Sequence, residues 1–441
     1  CQRSLIEDWS SVLVRHSNKR HLLAHAPTGL GKTISALVPA LAWVAMAPDR
    51  RRIYYLVNRV NQHDNPLREL KTSLAADFAN QTGEQLRVVD LVGRRLLCRY
   101  PDAANLDDLC KRSRNTASFD QLPGSVSTWR EVQSHLGDRA CPYHTLQGLM
   151  ARAHVVICDY WWLFSESSSE SGWTQLAGVS SNDSIAIVDE AHNLPVRVRD
   201  ELSINGPVDD IERTILQAPD LARPHLETIA EEVRKIPSGE GVSPSWLTQR
   251  VGGAQAVQTT LDILKALGSI EGRVPVIERL LRLLLQPDEA AVAYLEDDGV
   301  NSIKLIFRLV DPTPTLRSGY NRVYASLSMS GTLAAPSDDS GELSYQVPIF
   351  GLPLSETLTR KYASPFPSNN RRWVYCPDTL GTFKEREKYL DTYAKHIIAI
   401  GQSTPGVTAV FFSSYPFLEM VREQVVKQVE QQMVISEPVY Y

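Results

Sequence analysis

The stretch Ala26-Pro27-Thr28-Gly29-Leu30-Gly31-Lys32-Thr33 constrains the fold more than any other part of the chain. A short apolar run, His21 to Ala26, precedes it, and Ile34 to Ala47, which reads as a buried helix, follows. A strand, a glycine-bearing turn and a helix N-terminus together make an anion site, because backbone N–H groups and the positive end of the helix dipole converge there. Gly29 and Gly31 permit conformations and close approaches that a Cβ would block. In this reading Thr28, Gly29 and Gly31 line the phosphates, Lys32 reaches the β- and γ-phosphates, and the Thr33 hydroxyl sits on Mg²⁺. One departure stands out: Ala26 occupies a position where the strict phosphate-loop pattern has glycine.

A second motif complements the first. Ile185 to Leu194, IAIVDEAHNL, is an apolar strand that ends in Asp189-Glu190-Ala191-His192. A carboxylate at the end of a buried strand beside a phosphate loop can hold Mg²⁺, and the next one can polarise an attacking water. Asp189 is therefore the metal-side residue, Glu190 the general base, and His192 a relay toward moving parts. The plainer alternative, an acidic turn after a core strand, loses force once both motifs are taken together.

With 441 residues the chain is too long for a single core and suggests two to four units. A net charge of −5 supplies no global basic field, so any nucleic-acid contact must come from local patches. The longest apolar run contains Pro39 and is too short for a membrane span, so no membrane partner is expected. No signal peptide is read, and because the chain begins at Cys1 the natural N-terminus is expected further upstream.

Residues 1–93 read as the first part of an α/β nucleotide-binding lobe. The strand Arg52 to Val57 leads into Asn58, Arg59, Asn61 and Gln62, polar residues at a strand end where sheet proteins place ligand contacts. They either grip a sugar–phosphate backbone or form a solvated turn. Lys32 and Asp189 lie further apart than a plain lobe requires, so residues 94–150, with Cys98, Cys110 and Cys141, are read as an insertion. His154 to Phe164 returns to the sheet as a strand. Tyr160, Trp161, Trp162 and Phe164 either stack on unpaired bases or, for most of them, lie buried. Between about 200 and 290, four segments with apolar residues at i, i+3 and i+4 predict a second, helical insertion. A hairpin follows with Asp298-Gly299 near its turn, then a strand ending in Ser330-Gly331-Thr332, a coupling element. From about 370 a new α/β pattern begins. It has a helix from Lys384 to Ile400, a strand over Val407 to Tyr415, and a helix from Pro416.

These pieces resemble, in order and through almost the whole chain, the superfamily 2 DNA helicases of the Rad3/XPD/DinG group. Gln2 resembles the adenine-reading residue of that family. APTGLGKT, YLVNRVN, VDEAHN, SMSGTL and VFFSSYPFLE resemble its successive motor motifs, and SPFPSNNR resembles its link into the second lobe. The resemblance implies an α/β, RecA-like P-loop lobe with a parallel sheet, carrying an inserted cysteine-containing domain and an inserted helical arch, plus the start of a second RecA-like lobe. The implied boundaries are 1–93 and 151–200 for lobe one with the DEAH strand, 94–150 for an iron–sulfur-type insertion, 201–290 for the arch, 291–368 for the end of lobe one, and 369–441 for an incomplete lobe two. The implied activity is ATP-dependent, 5′→3′ unwinding of duplex DNA from single-stranded and forked substrates, in DNA repair, by a monomeric motor. The implied partners are subunits of a repair or transcription complex. The location is nuclear in a eukaryote and cytoplasmic, at the nucleoid, in a prokaryote. The alternative is a catalytically reduced, ATP-gated DNA-binding or scaffold subunit of a larger repair, transcription or defence complex.

The family also binds a [4Fe–4S] cluster through four thiolates, the soft ligands iron requires. Cys98, Cys110 and Cys141 fit three positions, and Ser113 stands where a fourth cysteine is expected. Ser113, His135, His144 or an Asp completes the set, or the cluster is three-iron or labile, or it has been lost. Cys158 and Cys376 read as core residues. The basic residues of 94–114, Arg94, Arg95 and Arg112 foremost, read as phosphate contacts or as a solvated face. The second lobe normally supplies an arginine finger and takes more residues than remain after 370, so the chain alone is expected to bind ATP but hydrolyse it poorly.

Overall fold

Seven parallel strands form the central sheet in the order β10-β1-β9-β5-β2-β4-β3. They are β1 (His21–His25), β2 (Arg52–Val57), β3 (Val88–Asp90), β4 (Val155–Asp159), β5 (Ser184–Asp189), β9 (Ala325–Ser330) and β10 (Thr357–Lys361). The computed structural model describes residues 2–14, 18–98, 115–164, 181–216, 218–237, 239–271, 275–297, 303–333, 343–370, 374–379, 382 and 385–433.

The inner strands β2, β4 and β5 read as near-continuous apolar runs because both faces of the sheet are covered, whereas β9, ASLSMS, buries three serines. Along β2 the pleat sends Ile53, Tyr55 and Val57 to one face and Tyr54 and Leu56 to the other. The first face packs on α1 (Gln2–Leu13) and α2 (Lys32–Ala45) through Trp9, Leu37 and Val44. The second packs on residues of the first insertion, among them Val132, Leu136, Leu146 and Leu149. Trp9 is fully buried, and its indole N–H donates to the Ala36 carbonyl at 3.2 Å, which fastens α1 to α2. α2 accommodates Pro39 in its interior, on its buried side. The expected core cysteine Cys158 has no exposure, and burial pushes its thiol well above the usual range.

A buried histidine–aspartate contact ties the chain after β2 to β3 and the first insertion. His63 Nδ1 lies 2.6 Å from Asp90 Oδ1, with the two side chains 1% and 0% exposed. The other Asp90 oxygen accepts the Trp129 backbone N–H at 2.8 Å, at the start of the helix Trp129–Leu136. Removing either partner would leave a buried polar group without its hydrogen bond.

Between β5 and β9 the chain forms a module with its own core. A three-stranded antiparallel sheet, β6 (Ile204–Pro207), β8 (Ile303–Leu309) and β7 (Ala291–Asp297), packs against the helices Val208–Ile215, Arg223–Val233, Pro244–Arg250, Gly253–Glu271 and Pro275–Leu284. The hairpin strands form as expected, and Asp298-Gly299 lies outside the described residues. Strands β6 and β10, with sequences INGP and TLTRK, lack the apolar pattern that would have announced them.

Phe366–Tyr441 is a separate unit. Its helices Leu390–Ser403 and Tyr415–Met433 pack together around Ala394, Phe417 and Val421, which are all buried. Gln428 donates to the Asp391 carbonyl at 3.1 Å across that contact. The strand expected over Val407 to Tyr415 does not form; Val407 is 99% and Phe411 92% exposed. A strand needs a neighbour for its ladder, and the described residues of this unit contain no other strand.

Gly319 sits where the helix Thr313–Asn321 meets the short helix Trp161–Phe164. A Cβ added there would lie 2.3 Å from Phe164 Cδ1. Gly319→Ala should therefore cost about 1–3 kcal/mol. The expected result is a lower urea midpoint with an unaltered slope; an unaltered midpoint would show that the junction is looser than described.

Candidate nucleotide site

Parallel pairing brings the ends of β1, β9 and β5 to one level. His25 pairs with Ser330, and Met329 with Asp189. The turn after β1 then runs directly into α2. Gly29 and Gly31 have φ of 82° and 78°, the left-handed region that glycine enters without strain. A Cβ on Gly31 would lie 2.8 Å from Gln2 Nε2, so the Gln2 amide rests against this turn. Ala26 is fully buried and its N–H donates to the Ser330 carbonyl at 2.8 Å. The methyl therefore fills core space rather than the phosphate cradle, which explains why alanine serves here. Gly331 passes close to the same turn: a Cβ there would be 3.6 Å from the Thr28 nitrogen.

Lys32 and the acidic pair face each other across this cleft. Lys32 Nζ donates to Glu190 Oε1 at 3.2 Å, and its side chain is 12% exposed. Asp189 is buried, with Oδ2 accepting the Tyr55 hydroxyl at 3.0 Å and Oδ1 accepting the Glu190 N–H at 3.0 Å. Burial, then the neighbouring Glu190 charge, raise the Asp189 carboxyl above the usual carboxylate range, against the Tyr55 hydrogen bond and Lys32. The Thr33 side chain lies near enough to the Tyr55 hydroxyl to act on it, so the tyrosine stands between the residues read as metal partners.

Ser330 joins the acid to the neighbouring strand. Its hydroxyl donates to Glu190 Oε2 at 3.2 Å and lies 2.6 Å from His192 Nδ1 and 3.3 Å from Thr332 Oγ1. The expected catalytic and coupling residues thus form one hydrogen-bonded group.

Sequence reasoning missed the two tyrosines that fix it. Glu190 is the one non-glycine residue with positive φ among the described residues, at 48°. Such a conformation costs about 1–3 kcal/mol and persists only when its surroundings over-determine it. Here the Glu190 carbonyl accepts the Tyr160 hydroxyl at 2.9 Å and the Asn193 backbone N–H at 3.0 Å, and Tyr160 also donates to the Asp189 carbonyl. Tyr55 and Tyr160 sit in apolar runs and read as core, which they also are; only their hydroxyls touch the site.

The remaining expected residues are further along the same edge of the sheet. Asn58 and Arg59 follow β2, and Gln62 Oε1 accepts both their backbone N–H groups at 3.0 Å, so Gln62 shapes the turn instead of pointing outward for a ligand. Arg94 and Arg95 open the short helix Arg94–Leu97 after β3; Arg95 is exposed and Arg94 partly so. Arg112 lies outside the described residues, as do Cys110 and Ser113. Of the four aromatics after β4, Tyr160 and Phe164 are buried, while Trp161 and Trp162 are partly exposed. Cys98 directly follows the helix Arg94–Leu97, Cys141 directly precedes the helix Pro142–Leu149, and those helices touch. Both cysteines are partly exposed, and no group of three metal-ligating side chains occurs among the described residues.

Tyr160 acts through Glu190 as a positioning residue. Tyr160→Phe should lower kcat for ATP about tenfold while leaving nucleotide affinity within about twofold. A purely structural role would instead move the melting temperature and the affinity together.

The DEAD_2 family model matches residues 55–211. The chain is 24% identical over 248 residues to the general transcription and DNA repair factor IIH helicase subunit XPD/RAD3 of Saccharomyces cerevisiae, covering 48% of this chain and 30% of the yeast protein. It is 24% identical over 426 residues to the ATP-dependent DNA helicase CHL1 of Coccidioides immitis, covering 77% of this chain and 48% of that one. It thus spans less than half the length of either. A solved XPD helicase superposes with a TM-score of 0.54 at 19% identity, over 96% of this chain and 74% of the other, which supports the RecA-like α/β fold. Sequence motifs, fold and relatives together make the chain similar to the Rad3/XPD-type group of superfamily 2 helicases.

Proposed function

We propose that this chain is the nucleotide-binding part of an ATP-dependent DNA helicase that tracks along single-stranded DNA and opens forked duplexes. The observation that carries the reading is the single hydrogen-bonded group of Lys32, Glu190, Ser330 and His192, built from three strand ends. In this arrangement Lys32 grips the β- and γ-phosphates, the Gly29–Gly31 turn cradles them, and Gln2 lies where an adenine would meet α1. Thr33 and Asp189 would hold Mg²⁺, whose charge offsets that of the phosphates. The fit rests on the donor set: the buried Asp189 carboxylate stands at the strand end beside the Glu190 carboxylate, across from the Lys32–Thr33 turn. Glu190 orients the water, and its contact with Ser330 ties that step to the strand that leads out of the arch. A DNA-repair setting is supported by the yeast relative, a helicase subunit of a transcription and DNA repair factor. The 5′→3′ polarity and a location at the chromosome, in nucleus or nucleoid, follow from the family resemblance, as does work within a repair or transcription complex. Asn58, Arg59, Arg94 and Arg95, along one edge of the sheet, serve the DNA backbone.

Nucleotide titration of this chain tests the site. Lys32→Ala should weaken ATP binding at least tenfold by removing the phosphate-bound cation, whereas Glu190→Gln should retain binding and lose hydrolysis. Equal ATP affinity in Lys32→Ala and the parent would refute the assignment.

An iron–sulfur cluster is part of the same reading, held by Cys98, Cys141 and residues outside those described. Anaerobically purified protein should carry iron and sulfide and absorb near about 400 nm, and Cys141→Ser should remove that band. A colourless, iron-free parent would mean the cysteines are remnants.

A further inference from the structure

A cavity of about 140 Å³ opens at the ends of β2 and β4, apart from the nucleotide cleft. Asn58, Asp159, Tyr160, Trp161, Arg197 and Glu201 line it. We propose that it is a pocket for one unstacked base of the DNA strand, and that its lining selects cytosine. The inference rests on the DNA-binding reading above and deepens it.

Size sets the first limit. A dry cavity of about 150 Å³ holds one benzene ring, so this space matches a single six-membered ring. Charge sets the second. Two carboxylates face one guanidinium, a lining that disfavours a phosphate and suits a neutral ring bearing an amine. Glu201 is also tied to Arg279 at 3.5 Å, which keeps it at the wall. Asp159 Oδ1 accepts the Trp161 backbone N–H at 3.0 Å, which leaves its second oxygen for a ligand. Asn58 Oδ1 is buried with no hydrogen-bond partner among the described residues, an acceptor without a donor. The side chain therefore offers both an acceptor and an amide NH₂.

Cytosine matches this set. The two N–H groups of its exocyclic amine match the second Asp159 oxygen and Asn58 Oδ1, the first being the carboxylate–amine pairing by which proteins read that base. Its ring N3 and O2 accept from Asn58 Nδ2 and from Arg197. Thymine presents a carbonyl where the amine is needed and adds a methyl group. Trp161, partly exposed at the rim, gives the ring a stacking surface. The wall is not isolated from the nucleotide cleft, because Tyr160 reaches from it to the Glu190 carbonyl.

Fluorescence anisotropy with labelled homopolymers of about 12 nucleotides, at fixed salt, tests the proposal on the chain as it is. The expected result is oligo(dC) binding about fivefold or more tighter than oligo(dT) and oligo(dA). Asp159→Asn, which keeps the Trp161 contact but places an amide in the pocket, should make the three strands bind alike. Equal affinity of the parent for all three strands, or a preference for dT or dA, overturns the pocket and leaves the DNA-binding reading standing. Failure to bind any strand overturns both. The comparison among strands needs no variant, so a misfolded Asp159→Asn cannot obscure it.

Discussion

The parallel pairing of β9 between β1 and β5 is the constraint on which the site depends. None of the three strands carries the chemistry along its length. Each delivers one group at its C-terminal end: the phosphate turn, the Ser330 hydroxyl and the acidic pair. Because the register aligns His25 with Ser330 and Met329 with Asp189, these groups arrive within hydrogen-bond reach without adjustment of the turns. A one-residue slip would turn the side chains to the opposite face and separate Ser330 from Glu190.

The energetic strain is concentrated at one residue. Glu190 adopts a backbone conformation that its side chain disfavours, and two carbonyl-directed hydrogen bonds, from Tyr160 and Asn193, hold it there. The price is accepted where it aims a carboxylate at the cleft. Asp189 beside it is buried and crowded by the same negative charge, so the pair is poised for a cation. Both features belong to a site organised before its ligand arrives, which reduces reorganisation during the reaction.

Much of this was legible in the residues. The turns after β1 and β5 announced themselves because each follows an apolar run and carries a chemically specific sequence, and a parallel sheet makes such runs conspicuous. Tyr55 and Tyr160 were not legible, since a tyrosine within a buried strand looks like core whether or not its hydroxyl reaches a ligand site. The His63–Asp90 pair could not be foreseen either, because its members are far apart in sequence and nothing local marks them. Strands β6 and β10 escaped for want of an apolar pattern. The run from Val407 to Tyr415 erred the other way: its composition promised a strand, but no described neighbour completes the ladder. Three of the expected contacts, Cys110, Arg112 and Ser113, lie outside the described residues.

The module between β5 and β9 leaves and re-enters the sheet through two strands that are hydrogen-bonded to each other. It therefore hangs from a single seam, like a handle fixed at both ends to adjacent staves. The short link from Ser330 to Glu190 lies across that joint.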